Sequence, residues 1–251
     1  MKTWDPDSCC PDNFAMVLIG KRRSGKSTLL KSLCAYHWKN KYPSVYVFSQ
    51  TAFNGYFEDF VPKKFIWNEW KEDKINEIVE RQKKLVMRKR AHGSKENVNA
   101  LLILDDVAHV RYSQSLERLF FQARHYCLSI IVAIQDATIL SRNMRDQADM
   151  LIVWRQSNKL NRDRVIEGFL AVRDAQEGEN VLREATDGEH NVLVINNCVN
   201  SYVVEDFTYT YSAKLPPRKF RMGASHYWDE MWYPQPGGEQ EGEGGEKNAV
   251  D

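Results

Sequence analysis

"GKRRSGKST", residues 20–28, decides the fold, because Gly20 is followed after four residues by Gly25, Lys26 and Ser27. Glycines at that spacing let the backbone turn tightly, so that several N–H groups point inward, and a helix starting at once adds its positive end. Such a loop wraps the phosphates of a nucleotide. The flanks agree: "FAMVLIG" (14–20) is an apolar run of strand length that feeds the loop, and Lys26 to about Trp38 reads as the helix that follows. Gly20, Lys21, Arg22, Arg23, Ser24, Gly25, Lys26, Ser27 and Thr28 are therefore the expected ATP-binding residues. Lys26 is expected to reach the β- and γ-phosphates, and the Ser27 hydroxyl to hold Mg2+. Lys21, Arg22 and Arg23 either add positive field beside the nucleotide or are plain solvated side chains.

Working outward, apolar runs alternate with helical patterns, the mark of a parallel sheet with crossover helices. "SVYVFSQ" (44–50), "ALLILDD" (100–106), "SIIVAIQ" (129–135) and "MLIVWRQ" (150–156) read as further strands, and "SLERLFFQARHY" (115–126) as a helix. Helical stretches near 159–186 precede "NVLVINN" and "YVVEDFTYTY", which read as a closing antiparallel pair. The expected fold is α/β, with a mostly parallel central sheet flanked by helices and a C-terminal antiparallel extension.

"LLILDD" supplies what the loop lacks, since Mg2+ in such sites needs a carboxylate at the end of a neighbouring strand. Asp105 fits that role, and Asp106 beside it is placed to orient and activate the attacking water. The competing reading is a simple strand-to-turn boundary. Gln135 ends the next apolar strand, at the edge where ligands sit in open α/β sheets, and its amide can contact the γ-phosphate or the attacking water. A capping glutamine is the structural alternative.

Composition sets outer limits. Apolar residues at 43% and charged residues at 27% are ordinary for a globular domain, and the 251 residues suffice for one full core. No apolar run reaches the ~20 residues of a membrane-spanning helix, and "MKTWDPDSCC" lacks the apolar core of a secretion signal, so neither export nor a membrane span is expected. Cys9, Cys10, Cys34, Cys127 and Cys198 are scattered and odd in number, which points to a reducing compartment. The net charge of +1 hides an uneven distribution: residues 235–251 hold five acidic residues and one lysine, hence −4, against +5 for the rest. That Gly/Glu-rich tail is expected to be disordered, beyond a single domain spanning 1–234.

Taken in order, "GKRRSGKST", "LLILDD", "QARHYCLSIIVAIQ" and "RNMRDQADMLIVWR" resemble the A32-like genome-packaging ATPases of nucleocytoplasmic large DNA viruses, in the FtsK/HerA branch of the P-loop ATPases. The resemblance covers roughly residues 12–213, including "FNGYFEDFVP" and the closing "TYSA". It implies a P-loop fold of the additional-strand catalytic type and an ATP-driven motor that threads double-stranded DNA into a capsid. A homo-oligomeric ring, capsid or portal-vertex partners, and a place in the virion or at the assembly site in the host cytoplasm are further implied. Much of that branch uses glutamate as base, whereas Asp106 has a shorter side chain and needs its water closer.

Ring ATPases commonly complete each site with an arginine from the neighbouring subunit, which neutralises charge on the transferring phosphoryl group. Arg124, in "QARHY", matches the family's Arg-His pair, and Arg145, in "RNMRDQAD", follows the sensor strand; either is alternatively a structural ion pair. "RQKKLVMRKR" (81–90) lies in a basic helical insertion at about 69–92, whose charged face either meets DNA phosphates or is solvated. In "SHYWDEMWYP", Trp228 and Trp232 point to packing on the body, with a docking surface as the second reading. Two other functions fit the phosphate loop: a small-molecule phosphotransferase such as a viral nucleoside kinase, which has no general need for Gln135, and a nucleotide-gated scaffold, in which Asp106 would not act as a base.

Overall fold

The protein's computed structural model describes residues 1–106, 113–170, 172 and 174–228. Trp232 and the acidic tail lie outside these residues. Nine strands among them form one sheet: β1 (Lys2–Thr3), β2 (Ala15–Ile19), β3 (Ser44–Ser49), β4 (Ile66–Trp67), β5 (Ala100–Asp105), β6 (Leu128–Ile134), β7 (Met150–Val153), β8 (Asn191–Asn196) and β9 (Thr208–Ser212). Their order is β1-β9-β8-β7-β2-β6-β5-β3-β4. From β7 through β4 the neighbours run parallel, while β8 is antiparallel to both β7 and β9.

The helices are α1 (Pro6–Cys9), α2 (Lys26–Tyr36), α3 (Glu72–His92), α4 (Gln114–Gln122), α5 (Arg142–Gln147), α6 (Lys159–Phe169), α7 (Ala175–Ala185) and α8 (Val204–Phe207). Strands covered on both faces must be apolar at every position, which is why β2 and β6 are buried throughout. Alternation then divides the core. Ala15, Val17 and Ile19 face Leu116, Leu119 and Val165, whereas Met16 and Leu18 face Leu29, Leu30 and Leu33 of α2.

Local chemistry fixes the ends of several elements. Ser113, Asn158 and Asp174 cap α4, α6 and α7 through their side chains, and Gly93 ends α3 in the left-handed region (φ 59°). Two expectations need adjusting. The helix expected over 115–126 stops at Gln122 and tightens into a 3-10 turn over Ala123–Tyr126, which Cys127 ends at φ 55°. The second strand of the antiparallel pair begins only at Thr208, because Val204–Phe207 form α8 and the Thr208 hydroxyl donates back to the Val204 carbonyl.

After β9 the chain crosses α2 toward the far side of the sheet. The Tyr36 hydroxyl donates to the Leu215 carbonyl, Lys31 Nζ to the Arg218 carbonyl, and Phe220 stacks on Phe60. Further on, Trp228 donates its indole N–H to the Met222 carbonyl and lies against Arg221, and the Tyr227 ring meets the Phe65 ring edge-on, so the described part of this aromatic segment, residues 225–228, packs on the body.

Candidate functional site

Because the central strands are parallel, their C-terminal ends share one edge of the sheet, and the chemistry gathers there. The loop leaves β2 at Gly20 and enters α2 through Gly25, whose φ of 95° only glycine adopts without strain. Lys26 Nζ donates to the carbonyls of Gly20 (2.5 Å) and Lys21 (3.1 Å), which keeps the ammonium inside the curve of the loop. Burial holds its pKa below the ordinary lysine value, opposed by the nearby Asp105 and Asp106 carboxylates. Lys21, Arg22 and Arg23 are solvent-exposed, and the Ser24 hydroxyl is buried without a hydrogen-bond partner among the described residues.

Asp105 is the last residue of β5 and is only 6% exposed. Burial raises its pKa; the Ser49 hydroxyl, donating to Oδ2 at 3.2 Å, pulls it back, and Asp106 adds to the rise. Asp106 follows at φ 56°, a left-handed conformation that costs an aspartate ~1–2 kcal/mol. Two bonds hold it there. Its N–H donates to the Ala133 carbonyl (3.2 Å), and Gln135 Nε2 donates to Oδ1 at 2.8 Å. The two residues singled out as base and sensor are thus direct partners across β5 and β6.

Sequence reasoning missed the walls of this site. Trp154 follows β7, donates its backbone N–H to the Ile19 carbonyl, and is buried under the loop. A Cβ on Gly20 would lie 3.1 Å from Trp154 Cβ and 2.6 Å from Ser24 Oγ, so the loop can rest on the indole only with glycine there. Gln156, also buried, donates to the carbonyls of Trp154 (2.8 Å) and Ile19 (3.4 Å). On the other side Tyr56 donates to the Ser27 carbonyl at 3.0 Å and lies under the Lys31 ammonium, which is itself paired with Asp59 at 2.8 Å. "MLIVWRQ" carried a usable signal: polar residues following an apolar strand on the ligand edge.

Neither candidate arginine belongs to this edge. Arg124 precedes β6 and is exposed, so the seven residues of that strand, ~23 Å at 3.3 Å each, separate it from Gln135. Arg145 lies on α5 ahead of β7, with its guanidinium about 4.0 Å from where a Gly168 side chain would begin. On α3, Arg81 is tied to Tyr46 and Tyr227 and Lys83 to Glu80, which leaves Lys84, Arg88 and Arg90 as the exposed cations of the run.

With β6 inserted between the loop strand and the Asp105 strand, the architecture is that of a P-loop ATPase of the additional-strand type. The model of the poxvirus A32 protein family matches residues 1–212, and the chain belongs to that family. Its relatives include protein L437 of Acanthamoeba polyphaga mimivirus, 25% identical over 223 residues (86% of this chain, 77% of the relative). Protein 075L of Invertebrate iridescent virus 6 is 28% identical over 228 residues, covering 86% of each chain. Among solved structures, the genome packaging NTPase B204 of Sulfolobus turreted icosahedral virus 2, in complex with ATP-gammaS, superposes with a TM-score of 0.56 at 16% identity, covering 83% of this chain and all of that one. The pCW3 conjugation coupling protein TcpA gives 0.58 at 13% identity, over 82% of this chain and 62% of that one. No helix among the described residues is long and apolar enough to cross a membrane.

Proposed function

We propose that this chain is the ATP-hydrolysing motor that moves double-stranded viral DNA into a capsid. The observation that carries the reading is the Gln135–Asp106 hydrogen bond on the sheet edge that also bears Lys26 and Asp105. A nucleotide-binding scaffold or a phosphotransferase needs the loop, but not a carboxylate held by an amide at the position of the attacking water.

In this reading the loop N–H groups and the unpartnered Ser24 hydroxyl receive phosphate oxygens, and Lys26 exchanges its two carbonyl partners for the β- and γ-phosphates. Ser27 and Asp105 would hold Mg2+, which supplies charge neutralisation between the terminal phosphates. The donor set fits that ion: a hydroxyl at the first turn of α2 and a buried carboxylate whose charge burial disfavours. Asp106 accepts a proton from the attacking water, and Gln135, released toward the γ-phosphate, both frees that carboxylate and carries the state of the nucleotide into β6.

The positions of Arg124 and Arg145, far from their own loop, suit an arginine given to the neighbouring subunit of a homo-oligomeric ring. Arg124 is the more exposed of the two. Assembly at the virion or at its assembly site in the host cytoplasm, against capsid or portal-vertex proteins, belongs to the same proposal, as does duplex DNA on the exposed cations of α3. The supports are the family, the packaging NTPase fold and this geometry. ATP-driven displacement of a third strand from duplex DNA tests it. Displacement that needs ATP and is lost in Lys26→Ala is expected; hydrolysis without any displacement would contradict the motor reading.

A further inference from the structure

An open cavity of about 540 Å3 lies on the same sheet edge, just past β7, and is lined by Arg155, Gln156, Ser157, Arg162, Arg183 and Asp187, among others. We propose that it takes the nucleoside end of the ATP whose phosphates the loop holds, so it rests on the ATP-site reading above and extends it to ribose and base. Asp105, Asp106 and Gln135 sit on β5 and β6, to one side of β2, and they fix where the γ-phosphate must lie. β7 flanks β2 on the opposite side. A nucleotide laid across the loop with its γ-phosphate toward Asp106 therefore carries its sugar and base toward β7, where this cavity begins.

The cavity is built onto the loop. Gln156 forms part of its wall and donates to the carbonyl of Ile19, the residue before Gly20, while the adjoining Trp154 supports Gly20 from below. Arg162 steadies the other side: it pairs with Glu179 (3.1 Å) and donates to the Gln156 carbonyl (3.4 Å). Arg155 and Arg183 are exposed and have no ion pair among the described residues, so their planar guanidinium groups remain available to stack on a base. Ser157 and the exposed Asp187 carboxylate offer acceptors for ribose hydroxyls. The volume falls within the ~300–1,000 Å3 usual for small-molecule sites.

Binding titrations of the whole protein with ATP and with inorganic tripolyphosphate test this, because the second ligand has no nucleoside. The Arg155→Ala/Arg183→Ala double variant should bind ATP ~10-fold or more weakly and tripolyphosphate as the wild type does. Asp187→Asn, a gentler change, should show the same one-sided loss at smaller size. ATP affinity unchanged in both variants, or an equal loss for both ligands, overturns the proposal. Lys26→Ala separates the two levels: it should weaken both ligands, and if it weakens neither, the phosphate-loop reading itself fails, whatever the cavity does.

Discussion

Replacing Gln135 by alanine removes one hydrogen bond, and the structure says what that bond does. The amide donates to a carboxylate at 2.8 Å, both residues are half-buried, and Asp106 carries left-handed strain at φ 56°. A hydrogen bond to a charged group contributes ~1.5–3 kcal/mol, and partial exposure reduces this to about 1–2 here. Gln135→Ala should therefore lower the stability of the nucleotide-free protein by about that amount, read from urea unfolding. ATP binding should survive, because the substitution leaves Lys26 and the loop as they are. Turnover at saturating ATP should fall by ~10²-fold, the low end of what a positioned acid–base partner contributes. Wild-type turnover in Gln135→Ala would refute the coupling of amide and base. A loss of ATP affinity as large as the loss of turnover would also refute it, since the amide would then act on the ground state.

Three further outcomes follow from the geometry. Burial raises the Asp105 pKa, so the folded protein holds that proton more tightly than the unfolded chain; the associated stability is present at low pH and is lost as pH rises through the folded value. Asp105→Asn should flatten that slope in melts run from acid to neutral pH, raise the nucleotide-free melting temperature at neutral pH, and abolish the extra stabilisation by ATP with Mg2+. Gly20→Ala places a methyl 2.6 Å from Ser24 Oγ and 3.1 Å from Trp154 Cβ; the overpacking should cost ~1–3 kcal/mol in thermal unfolding and weaken ATP binding with it. On α3, neutralising Lys84, Arg88, Lys89 and Arg90 should reduce the log–log salt slope of DNA binding by ~0.9 for each phosphate these side chains had neutralised, and an unchanged slope would return the helix to a solvated face.

The phosphate loop and the central strands were legible because each is a local pattern: glycine spacing before a helix, and apolar runs that only a doubly covered strand tolerates. Asp105, Asp106 and Gln135 were legible as residues ending such runs, although their hydrogen bond depends on β5 lying beside β6. Trp154 and Gln156 were visible only as the end of an apolar run, and their roles were not, since these come from β7 neighbouring β2, a pairing of segments 134 residues apart that periodicity does not encode. β1 and β4, at two residues each, are too short to carry a period. The far placement of Arg124 and Arg145 required strand direction as well as strand existence.

In the function proposed above, one site both binds and hydrolyses ATP, with Asp106 as base and duplex DNA as the load. Steady-state phosphate release, measured for the wild type and Asp106→Asn with and without double-stranded DNA, tests it most directly. The expected result is wild-type hydrolysis that duplex DNA stimulates, and an Asp106→Asn variant that binds ATP yet releases no phosphate under either condition. Equal phosphate release from both proteins would contradict the site, and wild-type release indifferent to DNA would contradict the motor.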